Sequence, residues 1–262
     1  MKRIEGIIMD WAGTAIDYGC FAPVAAFLKA FEEQDLQVTL TEARGPMGMT
    51  KIDHIRELFK LPSVTQQFRE HYHREWNEAD VRHLYQGFER HLFASLETYT
   101  TPIPGVVKVI ETLKQQGIRI GSTTGYTEAM MEVVRPGAAA QGYVADHCVT
   151  SDHLPAGRPS PYMIYQNLID LAIPSAQQAV KFGDTLADIR EGVNAGVWSV
   201  GVILGSNEMG LTQEETEALS PQERRQRMAD VRQRMYRAGA HYVVDTIEEL
   251  PGLIELLNER IR

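Results

Sequence analysis

Short apolar runs separated by stretches of helical periodicity organise this chain of 262 residues. The first, Ile4-Glu5-Gly6-Ile7-Ile8-Met9, stops at Asp10, the pattern of a buried parallel strand that delivers a side chain at its carboxyl end. Similar runs recur at 118–122, 147–150, 179–182, 197–202 and 242–244. Together they predict an α/β fold, a six-stranded, mostly parallel, Rossmann-like sheet covered by helices. Ligands of such sheets lie outside the carboxyl ends of the strands, so Asp10 is a candidate active-site residue.

Between the first two strands the pattern is helical from about residue 24 to 99, with no convincing strand. The expected organisation is a core of residues 1–18 and 100–262 with a helical cap, 19–99, inserted through two hinges. The stretch Arg135-Pro136-Gly137-Ala138-Ala139-Ala140 is awkward for a helix.

Composition excludes more than it identifies. Hydrophobic residues at 44% and charged ones at 23% suit a globular enzyme, and a net charge of -9 argues against a nucleic-acid partner. No run approaches the roughly 18 apolar residues of a membrane span, and Glu5 and Asp10 interrupt any signal-peptide core after Met1-Lys2-Arg3. Cys20 and Cys148 are expected as reduced thiols of a cytoplasmic protein.

Four polar segments follow the predicted strands in order. They are Asp10-Trp11-Ala12-Gly13-Thr14, Ser122-Thr123-Thr124-Gly125-Tyr126, Ala156-Gly157-Arg158-Pro159-Ser160-Pro161 and Gly183-Asp184-Thr185-Leu186-Ala187-Asp188. Singly, each has an ordinary reading as a strand-to-loop turn, a capping turn, a solvated arginine or a pair of helix-start acids. In this order they resemble the motifs of the haloacid dehalogenase superfamily. The resemblance implies that Asp10 attacks phosphorus and that Thr124 and neighbouring amides hold phosphoryl oxygens. It also implies that Arg158 neutralises charge, and that Mg2+ is held by Asp10, Asp184 and the Ala12 carbonyl with Asp188 behind them. Superfamily phosphatases carry a second carboxylate, the leaving-group acid, at the position of Ala12.

Within the cap, Gly45-Pro46-Met47-Gly48-Met49-Thr50-Lys51-Ile52-Asp53-His54 reads as a tight loop entering a helix, with Thr50 as N-cap and Asp53 completing an approximate capping box. Lys51 then stands at the first helical position, where the helix dipole disfavours its charge and lowers its pKa. That placement suits an amine that must be neutral to attack a carbonyl. His54, three residues on, shares its face and can exchange protons with the amine or with water. On spacing alone, a solvated lysine and a half-buried histidine remain open.

All these segments together resemble the phosphonatase family within the superfamily, over nearly the whole chain from Asp10 to at least Gly210. The one departure is Ala15, where a second threonine is common. The resemblance implies hydrolysis of the carbon–phosphorus bond of phosphonoacetaldehyde, in 2-aminoethylphosphonate degradation, by a homodimer. Lys51 is then the Schiff-base lysine, His54 a catalytic residue and the candidate for activating water. Cys20, Met47, Gly48, Gly125 and Tyr126 join Thr124 and Arg158 around the substrate. The rival is a Mg2+-dependent phosphatase or phosphomutase acting on a small phosphate ester. A non-catalytic role is disfavoured by the presence of Asp10, Lys51 and Asp184.

Overall fold

The structure, a computed structural model, describes residues 3–261. Strands β1 (Gly6–Met9), β2 (Arg119–Ser122), β3 (Ala179–Gly183), β4 (Trp198–Val202) and β5 (Tyr242–Val244) form one parallel sheet in the order β2–β1–β3–β4–β5. The chain leaves β1 for one neighbour and later returns to the other, so the strand order switches direction at β1. This switch opens a crevice at the carboxyl ends of β1, β2 and β3. Side chains of β1 alternate between faces: Ile7 and Met9 join the larger apolar core, and Ile8 packs with Ile164, Ile173 and Val197 on the opposite side.

The expected sixth strand at 147–150 is absent. Val149 makes an isolated parallel bridge to Thr123 and donates its N–H to the Ser122 carbonyl. One residue earlier than this run, the carboxylate of Asp146 accepts the N–H of Ile120 at 2.7 Å. A side chain thus satisfies an edge donor that a full strand would have taken.

Between β1 and β2 lie α1 (Phe21–Glu32), α2 (Leu40–Arg44), α3 (Lys51–Phe59), α4 (Pro62–Tyr72), α5 (Glu78–Ser95) and a 3-10 turn, Leu96–Tyr99, followed by α6 (Val106–Gln115) on the sheet. The cap therefore contains no strand among the described residues. It closes on its own aromatic core, where Phe27 stacks on Phe88 and Phe59 on Trp76. The chain crosses between core and cap twice, and the crossings run side by side: Ile16 bridges Pro102, Asp17 donates to the Thr101 carbonyl, and Ile103 donates to that of Ala15.

The remaining helices are α7 (Glu128–Ala139), α8 (Tyr162–Asp170), α9 (Leu186–Ala195), α10 (Gln213–Ala218), α11 (Pro221–Arg237) and α12 (Leu250–Arg260). Against expectation, α7 continues through Pro136. The proline forfeits one backbone bond, but Val134 and Ala138 on either side are fully buried, and this offsets the loss. Gly137 lets the helix press against the second crossing, where a Cβ would stand 2.7 Å from Thr100 Oγ1. In the arginine-rich α11, Arg232 pairs with Asp245 and Arg234 with Glu208, while only Val231 and Met235 are buried.

Candidate active site

The five-residue segment after β1 turns sharply under the cap, with Gly13 at φ 86° and the amides of Thr14, Ala15 and Ile16 all donating to the Trp11 carbonyl. Asp10, at the head of the turn, is held to the sheet by its own N–H, which donates to the Phe182 carbonyl at 2.9 Å. The residue, 5% exposed, lines a cavity of about 20 Å³, room for roughly one water molecule. Ala12, Thr124, Gly125, Tyr126 and Arg158 line this cavity from the core, and Cys20, Met47, Gly48 and Lys51 line it from the first crossing and the cap. Residues of the cap and of the core thus meet around one small cavity.

Glycines at the seam permit that closeness. A Cβ on Gly48, whose φ is +90°, would lie 2.4 Å from Thr185 Oγ1, and one on Gly125 would lie 2.5 Å from the Met49 carbonyl oxygen.

Lys51 occupies the first position of α3, as the spacing predicts, with Thr50 as N-cap. The capping box is looser than expected, because Asp53 takes the Thr50 hydroxyl at 2.5 Å and also pairs with Arg56. Burial is the main cause of the depressed pKa of Lys51; Cys20 and Asp10 oppose it. Its Nζ lies 5.0 Å from the centre of the Tyr126 ring. Burial likewise raises the thiol of Cys20 and the phenol of Tyr126 well above their ordinary values, so both line the pocket as neutral groups.

His54 does not reach the cavity wall. Fully buried within the cap, its ring is tilted against that of Phe27 with centroids 3.9 Å apart, and its Nε2 donates to the Ala43 carbonyl at 2.9 Å, which leaves Nδ1 as the acceptor. Burial first, and the nearby Lys51 second, hold the ring neutral.

Arg158 is the hub of the charged groups. Its Nη2 lies 2.6 Å from Asp10 Oδ1, Nη1 lies 3.0 Å from Asp188 Oδ1, and Nε lies 3.0 Å from Glu191 Oε2. Burial works against its charge, but the three carboxylates outweigh that and keep it protonated. Lys181, inside β3, pairs with Asp188 at 2.8 Å and Glu191 at 3.1 Å, and the hydroxyl of Thr123 accepts from both cations and donates to Glu191. Although burial opposes it, attraction to Arg158 and Lys181 holds Asp188 below the usual carboxylate range.

Asp184 experiences the reverse. It is fully buried beside Asp10 and Asp188, and desolvation and these two like charges push its pKa well up, against the Asn207 amide and the Thr14 hydroxyl that bond it. Oxygens of Asp10, Asp184 and Asp188 lie within 4.8 Å of one another. Four clustered carboxyl groups, counting Glu191, face the two buried cations Arg158 and Lys181. A divalent cation bound by oxygen ligands would balance that surplus, so the residues present fit one.

The chain matches the family model for haloacid dehalogenase-like hydrolases over residues 4–196. It is 59% identical to a phosphonoacetaldehyde hydrolase of Parabacteroides distasonis, over 99% of each chain. A phosphonoacetaldehyde hydrolase of Bacillus cytotoxicus is 48% identical over 98% of each. The chain belongs to the phosphonoacetaldehyde hydrolase family. Its fold follows that of a crystallised phosphonoacetaldehyde hydrolase-like protein from Oleispira antarctica, with a TM-score of 0.96 at 36% identity, covering 98% of this chain and 93% of the other.

Several residues at and around this cavity are not singled out by the sequence motifs of this phosphonoacetaldehyde hydrolase family member. Thr185 lines the cavity and caps α9 through a box with Asp188. Glu191 follows Asp188 at helical i, i+3 spacing on the same face, a signal that was available. A lysine amid the apolar run of β3 was another such signal. Asn207 and Arg44, far apart in sequence, offered none.

Proposed function

We propose that this protein hydrolyses the carbon–phosphorus bond of phosphonoacetaldehyde to acetaldehyde and phosphate, through an imine on Lys51 and a phosphoryl group on Asp10. One observation carries the reading: a buried lysine with a depressed pKa shares a closed pocket with Asp10, while the position of a phosphatase's second acid holds Ala12. Residues 19–99 act as a mobile cap in this reading, since Lys51 belongs to the cap and Asp10 to the core.

The neutral Lys51 amine adds to the aldehyde carbon and, with uptake of one proton and loss of water, forms a protonated imine. Asp10 then attacks phosphorus, and the electron pair of the breaking C–P bond passes into the imine, giving an enamine. No oxygen leaves in that step, so Ala12 has no proton to deliver. Arg158 engages Oδ1 of Asp10, so Oδ2 is the oxygen free of the guanidinium for attack. Asp10, Asp184 and the Ala12 carbonyl are the proposed Mg2+ ligands, with Asp188 behind them; bound Mg2+ would neutralise phosphoryl charge. Thr124 and Gly125 hold phosphoryl oxygens, and Cys20, Met47, Gly48 and Tyr126 enclose the two-carbon fragment and exclude water. Water cleaves the aspartyl phosphate, and protonation and hydrolysis of the enamine return Lys51. The neutral ring of His54, set behind Lys51, suits it to proton exchange with that amine rather than to activating water at phosphorus.

Release of acetaldehyde and phosphate from phosphonoacetaldehyde, compared with phosphate release from small phosphate monoesters, tests the proposal. Faster turnover of an ester would favour the phosphatase or phosphomutase reading. The family resemblance further implies a cytoplasmic homodimer, and light scattering on the purified protein checks the dimer. None of the described helices is long and apolar enough to cross a membrane.

A further inference from the structure

One residue in the loop after β4 touches both the acidic cluster and the cap. Asn207, 3% exposed, donates its backbone N–H to Asp184 Oδ2 at 2.7 Å. Its side chain turns to the cap, where Oδ1 accepts from Arg44 Nη1 at 3.0 Å and Nδ2 donates to the Arg44 carbonyl at 3.3 Å. Arg44 ends α2, and the same Nη1 donates to the Gly19 carbonyl at 2.7 Å, on the first crossing between core and cap. Its guanidinium lies over the ring of Phe21, 4.9 Å from the centroid.

The loop is shaped and braced around this contact. A Cβ on Gly210 would stand 3.1 Å from Arg44 Nε, at a φ of +64°. The hydroxyl of the fully buried Ser206 accepts from the Met209 N–H at 2.9 Å, and its carbonyl accepts from the Gly210 N–H at 3.0 Å. In so tight a loop, releasing Arg44 loosens the peptide that pins Asp184.

We propose that Arg44 and Asn207 form a latch through which cap closure seats Asp184 for the divalent cation, so that cation binding and closure favour one another. Both are positioning residues, and the coupling is reciprocal, since a cation that favours the closed cap must bind the closed cap more tightly. The latch rests on the reading of Asp10 and Asp184 as cation ligands.

Calorimetric titration of Mg2+ into the full chain without substrate tests it, alongside hydrogen exchange of residues 17–21 and 99–103. Arg44→Met and Asn207→Ala are each expected to weaken Mg2+ binding about fivefold or more, and the double variant to be no worse than the weaker single one. Arg44→Lys should recover part of the affinity, and Mg2+ should slow exchange at both crossings in the parent protein but not in Arg44→Met. If Arg44→Met does not fold, Asn207→Ala, which retains the backbone donor to Asp184, serves in its place. Unchanged Mg2+ affinity in a variant of normal Tm, or losses that simply add, would overturn the latch. Mg2+ binding that survives intact in Asp184→Asn would instead overturn the ligand reading, and the latch with it.

Discussion

Gly125→Ala inserts a single methyl group into the seam between core and cap. The glycine has no left-handed backbone angle, so alanine is conformationally acceptable there, and its effect is steric. The new Cβ would meet the Met49 carbonyl oxygen at 2.5 Å and that of Gly48 at 3.4 Å, both backbone atoms that cannot rotate away. Reaching the 3.0–3.4 Å of tight real contacts requires the cap loop to retreat by about 0.5–0.9 Å. Lys51 lies two residues beyond Met49, so the amine retreats from Asp10 with the loop. A misplacement near 1 Å can cost on the order of 10²-fold in rate, so kcat should fall about 10- to 100-fold. The closed contact is a small part of the total burial, and Tm should change by no more than about 4 °C. Gly252→Ala is the control: a Cβ there meets nothing within 4 Å, and alanine within α12 should leave kcat unchanged and add about 0.5–1 kcal/mol of stability. Steady-state kinetics and thermal unfolding of both variants decide the matter. Near-normal kcat in a well-folded Gly125→Ala would refute the claim that the reacting geometry needs full closure.

Asp17, whose carboxylate accepts the first amides of α1 from Phe21 and Ala22, has its pKa raised to about 6 from 3.8, chiefly by burial. A carboxyl raised in the fold stabilises it only while protonated. That contribution is full below pH 3.8 and lost as pH rises to about 6. The unfolding free energy of the parent relative to Asp17→Asn should thus drop by roughly 3 kcal/mol across that window; urea titrations giving a flat difference would contradict it. Lys181→Met leaves Asp188 and Glu191 to Arg158 alone and should cost about 3–5 kcal/mol in urea unfolding; a loss under about 1 kcal/mol would show that the lysine is dispensable to the cluster. Mg2+ at about 100 times its Kd should stabilise the parent protein by about 2.7 kcal/mol and leave Asp184→Asn unmoved; equal stabilisation of both would remove Asp184 from the ligands.

The parallel strands were legible because each is a short apolar run buried on both faces, and the position of the cap because no strand interrupts the helical pattern between Phe21 and Tyr99. Residues 147–150 misled because their apolar pattern does not reveal that the Asp146 side chain would satisfy the sheet edge. Pro136 misled because local propensity was outweighed by burial on either side of it. Asp10, Lys51 and Asp184 could be named because each stands where a strand or helix begins or ends, and Arg158 because its loop carries a family motif. The residues that hold them were less visible. Thr123 and Lys181 act through hydroxyl and ammonium contacts 58 positions apart, and Arg44 and Asn207 through contacts 163 apart, distances over which only the folded topology brings side chains together. Lys51 illustrates the difference in cause: its position at a helix start was readable, whereas the burial that chiefly depresses its pKa arises only in the folded chain.

In the proposed mechanism the electrons of the broken bond pass into an imine on Lys51. Borohydride added during turnover of phosphonoacetaldehyde, followed by peptide mass spectrometry, would trap that imine. Irreversible inactivation that requires both substrate and reductant is expected, with a reduced two-carbon adduct on the peptide containing Lys51 and no adduct in Lys51→Arg, which should also be inactive. Continued turnover in the presence of reductant with Lys51 unmodified, or C–P cleavage by Lys51→Arg at a near-normal rate, would contradict it.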